Sequence, residues 1–187
     1  MNVSLPESES ALVKRAKRDP AAFGLLYERY IDKIYSYIYL HTSSRQDAED
    51  LTSRTFHQAL TNIRRYDERG VPFAAWLYRI AHNLVANWHR DRSRKPQAAL
   101  DDWLKWLMRS SPSPADVAEQ NSEMDALRAA FQKLPTDRQQ LLILKYGESL
   151  SNLEIGRALH RSEGAIKSLL YRTLEELRIE LRKHGYS

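Results

Sequence analysis

Three carboxylates fall within four residues at Asp47, Glu49 and Asp50. Acids at this density could hold a divalent cation or relay a proton. Ser43 and Gln46 just before them read as a capping box, however, and in the first turn of a helix acids are favoured by the macrodipole alone. The six histidines are scattered, and none follows a carboxylate by three residues, so the ExxH pair of di-iron bundles is absent. There is no HExxH, GxSxG or Gly-rich phosphate loop. With no cysteine, disulfides, thiolate zinc sites, iron–sulfur ligation and a thiol nucleophile are all excluded. The sequence predicts no catalytic residue, metal, cofactor or small-molecule substrate.

Cations and amides form the other chemically useful sets. Arg79, Asn83 and Asn87 recur every four residues and run into Arg90, Arg92 and Arg94. Near the C-terminus, Ser162, Gly164, Ala165, Lys167, Ser168, Tyr171 and Arg172 fall off the apolar stripe of their segment. Arginine and lysine neutralise phosphates, amides and guanidinium groups read base edges, and small residues let a helix N-terminus approach a backbone closely. Both patterns suit nucleic-acid binding.

Helices must position these groups. Asp19 and Pro20 open a helix whose apolar positions, from Phe23 through Ile38, are spaced by three and four. A second helix places Ala48, Leu51, Phe56, Ala59 and Ile63 on one face. A third, after Pro72, carries Phe73, Trp76, Leu77, Ile80, Leu84, Val85 and Trp88. Beyond Pro135, Thr136 with Gln139 reads as a helix start. Ser151 with Glu154 is a capping box, and Ser162 an N-cap after a two-residue joint, His160-Arg161. The last helix repeats Ile166, Leu170, Leu174, Leu177 and Leu181. A short helix, a tight joint and a longer capped helix predict a helix-turn-helix.

The 187 residues, 42% hydrophobic and 28% charged, can bury a core. The net charge of +5 divides as +5 over residues 1–95, −2 over 96–121 and +2 over 122–187. Helical periodicity predicts an all-α protein, and this charge pattern with the Ser/Pro stretch at 110–114 divides it. Two small helical domains, 1–95 and 122–187, are joined by a flexible linker, and the C-terminal domain is the helix-turn-helix. A relaxed linker of 26 residues spans only about 28 Å. The patch from Trp103 to Met108 interrupts the linker composition. No apolar run is long enough to span a bilayer and the N-terminus lacks a signal-peptide profile, so a cytoplasmic location is expected.

The ordered segments 23–30 (FGLLYERY), 47–52 (DAEDLT) and 73–83 (FAAWLYRIAHN) resemble bacterial RNA polymerase sigma factors of the extracytoplasmic-function group. Leu134-Pro135, Arg138-Gln139, Leu144, Glu154-Ile155 and the run from Ser162 to Ser168 are similar to that family's C-terminal module. The resemblance implies a promoter-specificity subunit that binds core polymerase and recognises −10 and −35 elements. It places Asp47, Glu49, Asp50, Leu51 and Phe56 on the polymerase clamp. Tyr66, Arg79, Asn83, Asn87, Arg90, Arg92 and Arg94 fall to the −10 element as it melts, and the last helix reads the −35 element. It also implies an anti-sigma partner, in some cases membrane-tethered.

Several residues depart from the family pattern: Asn87, Ser53, Arg54, Gly156, the His160-Arg161 joint, and Leu169 where arginine is common. They imply altered promoter preference or a weaker −35 contact. The alternative is a stand-alone dimeric helix-turn-helix regulator, for which the acidic 47–56 segment would have no purpose.

Overall fold

Asp19 accepts a hydrogen bond from the Ala21 N–H at 2.9 Å, and Pro20 presets the first helical φ of a 23-residue helix. The computed structural model describes residues 7–67, 70–92 and 126–183. The expected linker 96–121, its Trp103–Met108 patch and Arg94 lie outside these residues. The chain divides into two compact units, Met1–Lys95 and Pro96–Ser187, and no strand occurs among the described residues.

In the first unit α1 (Glu9–Ala16), α2 (Pro20–Thr42), α3 (Arg45–Asn62) and α4 (Phe73–Arg92) follow one another, with a 3-10 turn at Ile63–Arg65. The helix α2 packs against α1, α3 and α4. Its Leu26, Ile34, Tyr37 and Ile38 are completely enclosed, and Leu12 and Val13 of α1, Leu51 of α3, and Leu77, Tyr78 and Val85 of α4 are buried with them. Burial of each such side chain stabilises by about 1.5–3 kcal/mol, so α2 is the spine of the unit.

Two local expectations shift. The helix α1 was not legible as an element, although Ser8 caps it through the Ala11 N–H at 3.3 Å. The cap of α3 is Ser44, which accepts from the Asp47 N–H at 3.3 Å. Ser43 instead ends α2 in the left-handed conformation, at φ 50°. A turn this tight needs one residue to stop the first helix and another to start the second.

The second unit holds a helix over 126–133 (α5), α6 (Thr136–Leu142) running into a π-helical turn at Ile143–Gly147, α7 (Asn152–Leu159) and α8 (Glu163–Lys183). Pro135, not Thr136, occupies the N-cap position of α6, without a side-chain cap. Gln139 is buried and works on the preceding turn, its amide donating to the carbonyls of Phe131 (3.1 Å) and Leu134 (2.8 Å). The core comprises Phe131, Leu141, Ile143, Leu144, Ile155, Ala158 and Ile166.

A polar cluster lies inside the α2–α4 interface. Tyr37 Oη and His82 Nδ1 share a hydrogen bond of 2.9 Å, and the Tyr37 ring meets Tyr78 and His41 edge-on. Burial raises the Tyr37 pKa strongly. His41 is 3% exposed, with Nε2 enclosed and no hydrogen-bond partner. Burial, with the nearby His82 and His89 of α4, lowers its pKa to about 3. The unfolded chain therefore binds a proton near pH 6.5 that the folded chain refuses, and stability must fall as pH drops through that value. Chemical denaturation at pH 7.5 and pH 5 is expected to show a loss on the order of 1–2 kcal/mol, and His41→Phe should remove most of that difference. An equal pH dependence in the variant would place the acid sensitivity elsewhere.

Candidate protein-docking and nucleic-acid interfaces

The acids Asp47, Glu49 and Asp50 do stand in the first turns of α3, but they are not poised as a catalytic group. Glu49 pairs with Arg45 at 2.8 Å and Asp50 with Arg54 at 3.6 Å, each one turn away. Among the described residues no group of three or more potential ligands is placed to hold a metal. Leu51 and Phe56 are 1% and 4% exposed. The expectation that Leu51 meets a partner directly is corrected: it is spent on holding α3 against the core.

A groove of about 500 Å³ opens between α2 and α3 beside these acids. Its floor is apolar, with Phe23, Ile31 and the edge of Phe56, against which Tyr27 packs at 4.7 Å between ring centroids. Leu60 and Tyr27 line it while 45% and 42% exposed, and Glu49, Ser53 and His57 give its polar margin. Apolar groups left at a concave surface beside charge make this groove a candidate protein-docking site. Sequence reasoning missed Leu60 and placed Tyr27 in the core stripe. The available signal was spacing: Leu60 follows Phe56 by one turn but falls outside the buried set.

Along α4, Arg79 is half-buried, while Asn83, Asn87 and Arg90 are exposed. The four-residue spacing of Arg79, Asn83 and Asn87 puts them in one row on the helix surface. Arg90 is 3.8 Å from Asp91. Arg92 ends the helix; its side chain lies outside the described residues.

Tyr66, expected at the −10 element, is enclosed. It is 5% exposed, its ring lies 4.7 Å from Trp76 and 5.9 Å from Phe73, and its hydroxyl donates to the Val71 carbonyl at 2.5 Å. No face is left for a base, and its role is to fix the 66–71 loop against α4.

In the second unit Ser151 and Glu154 cap α7 reciprocally, and hydrogen bonds from Ser151 hold the Glu154 carboxyl below its usual pKa. The joint to α8 is sharp. His160 adopts φ 55°, ψ 42°, the left-handed conformation that glycine ordinarily takes at a helix C-terminus. Arg161 N–H then donates to the Gly156 carbonyl at 2.8 Å. A β-carbon on Gly156 would stand 2.7 Å from the Arg161 carbonyl oxygen. Gly156 thus makes room for the returning chain, and the departures at 156 and 160–161 are parts of one turn.

Ser162 caps α8, accepting from the Ala165 N–H at 3.2 Å. Ser162, Gly164, Ala165, Lys167, Ser168, Tyr171 and Arg172 are all exposed, Tyr171 by 69%. The structure brings the whole set onto one accessible surface at the start of the helix. Leu169 is buried instead and joins Ile166, Leu170 and Thr173 against the core, whereas Leu174 is 38% exposed. The rest of α8 is tied back by Lys133–Glu180 at 2.7 Å and by Arg138–Glu176. Lys133 and Lys183 hold the Glu180 carboxyl down to about 2.

Family models agree with this division. Sigma-70 region 2 matches residues 26–95 and Sigma-70 region 4 matches residues 124–177. The chain is 36% identical over 176 residues to the ECF RNA polymerase sigma factor BldN of Streptomyces coelicolor, covering 91% of this chain and 66% of that one. It is 31% identical over 180 residues to the ECF RNA polymerase sigma factor SigW of Bacillus subtilis, covering 91% of this chain and 95% of the relative. The chain belongs to the ECF sigma-factor family. Two solved folds are similar: CnrH in complex with the cytosolic domain of CnrY (TM-score 0.64, 21% identity, covering 92% of this chain and 96% of that one), and the sigma factor RpoE with the anti-sigma factor NepR from Bartonella quintana (TM-score 0.59, 18% identity, covering 86% and 96%).

In this sigma factor the region 2 match takes in α2, α3 and α4, and the region 4 match contains the helix-turn-helix. Gly-to-Ala exchange inside a helix ordinarily gains about 1 kcal/mol. Here Gly156→Ala is expected to destabilise, because the new methyl meets backbone. His160→Gly should be neutral or stabilising by up to about 1 kcal/mol through relief of the left-handed residue. Thermal melts of the two variants test the pair, and a higher melting temperature for Gly156→Ala would refute the close-approach account.

Proposed function

We propose that this sigma factor binds the core of RNA polymerase and directs it to promoters carrying a −10 and a −35 element. The observation that supports this most directly is the occurrence, in one chain, of both matched regions, each with a surface suited to its task. The first unit pairs an apolar, acid-edged groove with the Asn83/Asn87 row. The second presents a capped helix with seven exposed residues suited to the major groove.

The groove between α2 and α3 takes a helix of the polymerase clamp. Apolar contacts at Tyr27 and Leu60 supply affinity, and Asp47, Glu49 and Asp50 supply charge complementarity. The α4 row, with Arg79, Arg90, Arg92 and Arg94, holds the −10 strand as it opens. Unstacking costs a few kcal/mol, and binding of the opened strand offsets it without nucleotide hydrolysis. The chain is a specificity subunit rather than an enzyme and works where the polymerase works. Among the described residues no helix is long and apolar enough to cross a membrane. The α8 N-terminus reads the −35 element, with Lys167 and Arg172 on phosphates or guanine edges. An anti-sigma protein is the proposed regulator, since one similar sigma-factor fold was solved with such a partner.

Run-off transcription with core polymerase and a promoter library tests the reading. Specific initiation is expected only when chain and core are both present. A symmetric footprint by a stable dimer without core would favour the stand-alone regulator instead. Tyr27→Ala with Leu60→Ala should weaken core association about tenfold or more, with the helical signal retained. Lys167→Glu with Arg172→Glu should abolish dependence on the −35 element and leave core association intact; unchanged promoter use would remove α8 from recognition.

A further inference from the structure

One cation of α1 is turned inward, onto the residue that precedes α4. Lys17 follows the last turn of α1, where the Arg15 carbonyl accepts from the Arg18 and Asp19 N–H groups at 3.0 and 2.9 Å. Asp19 then caps α2 through the Ala21 N–H at 2.9 Å. Lys17 therefore starts from a backbone held on both sides. Its Nζ donates to the Tyr66 carbonyl at 2.7 Å and stands 5.8 Å over the ring of the same tyrosine, 49 residues away in the chain.

Tyr66 closes the turn after α3. Its N–H donates to the Asn62 and Ile63 carbonyls at 3.1 and 3.2 Å, and its own backbone is extended, at φ −62° and ψ 123°. Its carbonyl has thus left the helical ladder, and the Lys17 ammonium meets it. The hydroxyl reaches forward to the Val71 carbonyl at 2.5 Å, and the ring packs on Phe73 and Trp76 at the start of α4. One tyrosine joins the two ends of the 66–71 loop, and Lys17, from a third element, fixes its backbone.

An ordinary explanation is that the bond only fastens α1 to the bundle. That attachment is made elsewhere. Leu12, Val13 and Ala16 are buried where α1 packs on α2, and Glu9 accepts from the Tyr30 hydroxyl and lies 3.8 Å from Arg29. What depends on Lys17 is the Tyr66 carbonyl.

We propose that Lys17 is a positioning residue for the −10 step, acting through Tyr66 without touching DNA. Arg79, the first member of the α4 row, lies six residues beyond Phe73, about 9 Å along the helix axis. A strand that follows the row toward the N-terminus of α4 reaches this loop. A loop that becomes ordered only on binding loses affinity to conformational entropy, whereas one held at both ends beforehand loses less. Lysine suits the task, because one carbonyl oxygen needs a single point donor, and an ammonium also sits favourably over an aromatic face.

The role rests on the promoter reading above, and the test separates the two. Holoenzyme assembled from core and the full chain is measured on a promoter probe already opened at −10, and on a closed duplex carrying only the −35 element. Lys17→Met, which keeps the stem and loses the donor, should weaken binding to the opened probe about 5- to 20-fold. Core association and −35 binding should match the wild type. The slope of log K against log salt should also be unchanged, because an ammonium bonded to Tyr66 neutralises no phosphate. A slope shallower by about 0.7 would make Lys17 a DNA contact and overturn the positioning role.

Tyr66→Phe, which releases the Val71 carbonyl, should give a loss of similar size, and the double variant should bind no worse than the weaker single one. Losses that multiply would give the two residues separate tasks and overturn the link. Ile38→Val, in the C-terminal half of α2, controls for stability: it should lower the melting temperature and leave opened-probe affinity unchanged. An equal loss of affinity in that variant would reduce the Lys17 effect to general destabilisation. If wild-type holoenzyme discriminates promoters and Lys17→Met binds the opened probe equally well, the positioning role alone fails. If wild-type holoenzyme shows no promoter preference, the promoter reading fails and the positioning role falls with it.

Discussion

Burial of α2 on three sides constrains everything the first unit can do. Because Leu26, Ile34, Tyr37 and Ile38 have no exposure left, α2 cannot rotate or slide without opening contacts to α1, α3 and α4 at once. The groove proposed for a protein partner is one edge of this packing, lined where α2 and α3 diverge by Phe23, Tyr27 and Ile31. The Asn83/Asn87 row is set by the opposite constraint. The face of α4 bearing Leu77, Tyr78 and Val85 is fixed against α2, so the residues off that face have only one direction to point. The Tyr37–His82 hydrogen bond adds direction to an interface that apolar contact alone would leave free to slip.

The second unit solves a different problem with less core. The helix proposed to read DNA must project an N-terminus, so the chain has to reverse within two residues and leave no side chain in the way. Gly156 supplies the space, His160 the left-handed turn, and Ser162 the cap that satisfies the first amides of α8. Ion pairs at Glu176 and Glu180 then hold the distal half. Exposed pairs of this kind stabilise weakly, by about 0–1 kcal/mol each. The turn, rather than the ion pairs, decides where the helix points.

The helices were legible because their apolar residues recur every three to four positions, and the helix-turn-helix because caps at Ser151 and Ser162 bracket a short joint. What escaped the sequence has physical reasons. The helix α1 has only eight residues, so its periodicity is brief, and its partner Tyr66 lies 49 residues from Lys17. Leu169 and Leu174 exchange roles because the fully buried contacts of the 21-residue helix end at Thr173, beyond which ion pairs at Glu176 and Glu180 take over. A periodic stripe cannot say where the neighbours end. Tyr66 was expected at the −10 element by resemblance; only tertiary contact with Phe73 and Trp76 shows that its faces are taken. The glycine at 156 was legible only as a departure from the family pattern, and becomes a requirement once Arg161 is seen to pass over it.

Charge and apolar surface then divide the proposed work in a way that orders its steps. Contacts made in the α2–α3 groove are mainly apolar and lose little as salt rises, whereas phosphate contacts weaken with each counterion returned to the DNA. The total of +5 is spread over two units and an intervening acidic segment, so neither reading surface carries the charge for tight independent binding. On this proposal core association holds at ionic strengths where either DNA contact alone would fail. With both units on the same machine, the second DNA contact becomes an intramolecular event with an effective concentration set by the tether. In the proposed scheme a chain of two weak readers and one salt-tolerant docking groove selects promoters only after it has joined the polymerase, and a protein that fills the groove silences both readers without touching either.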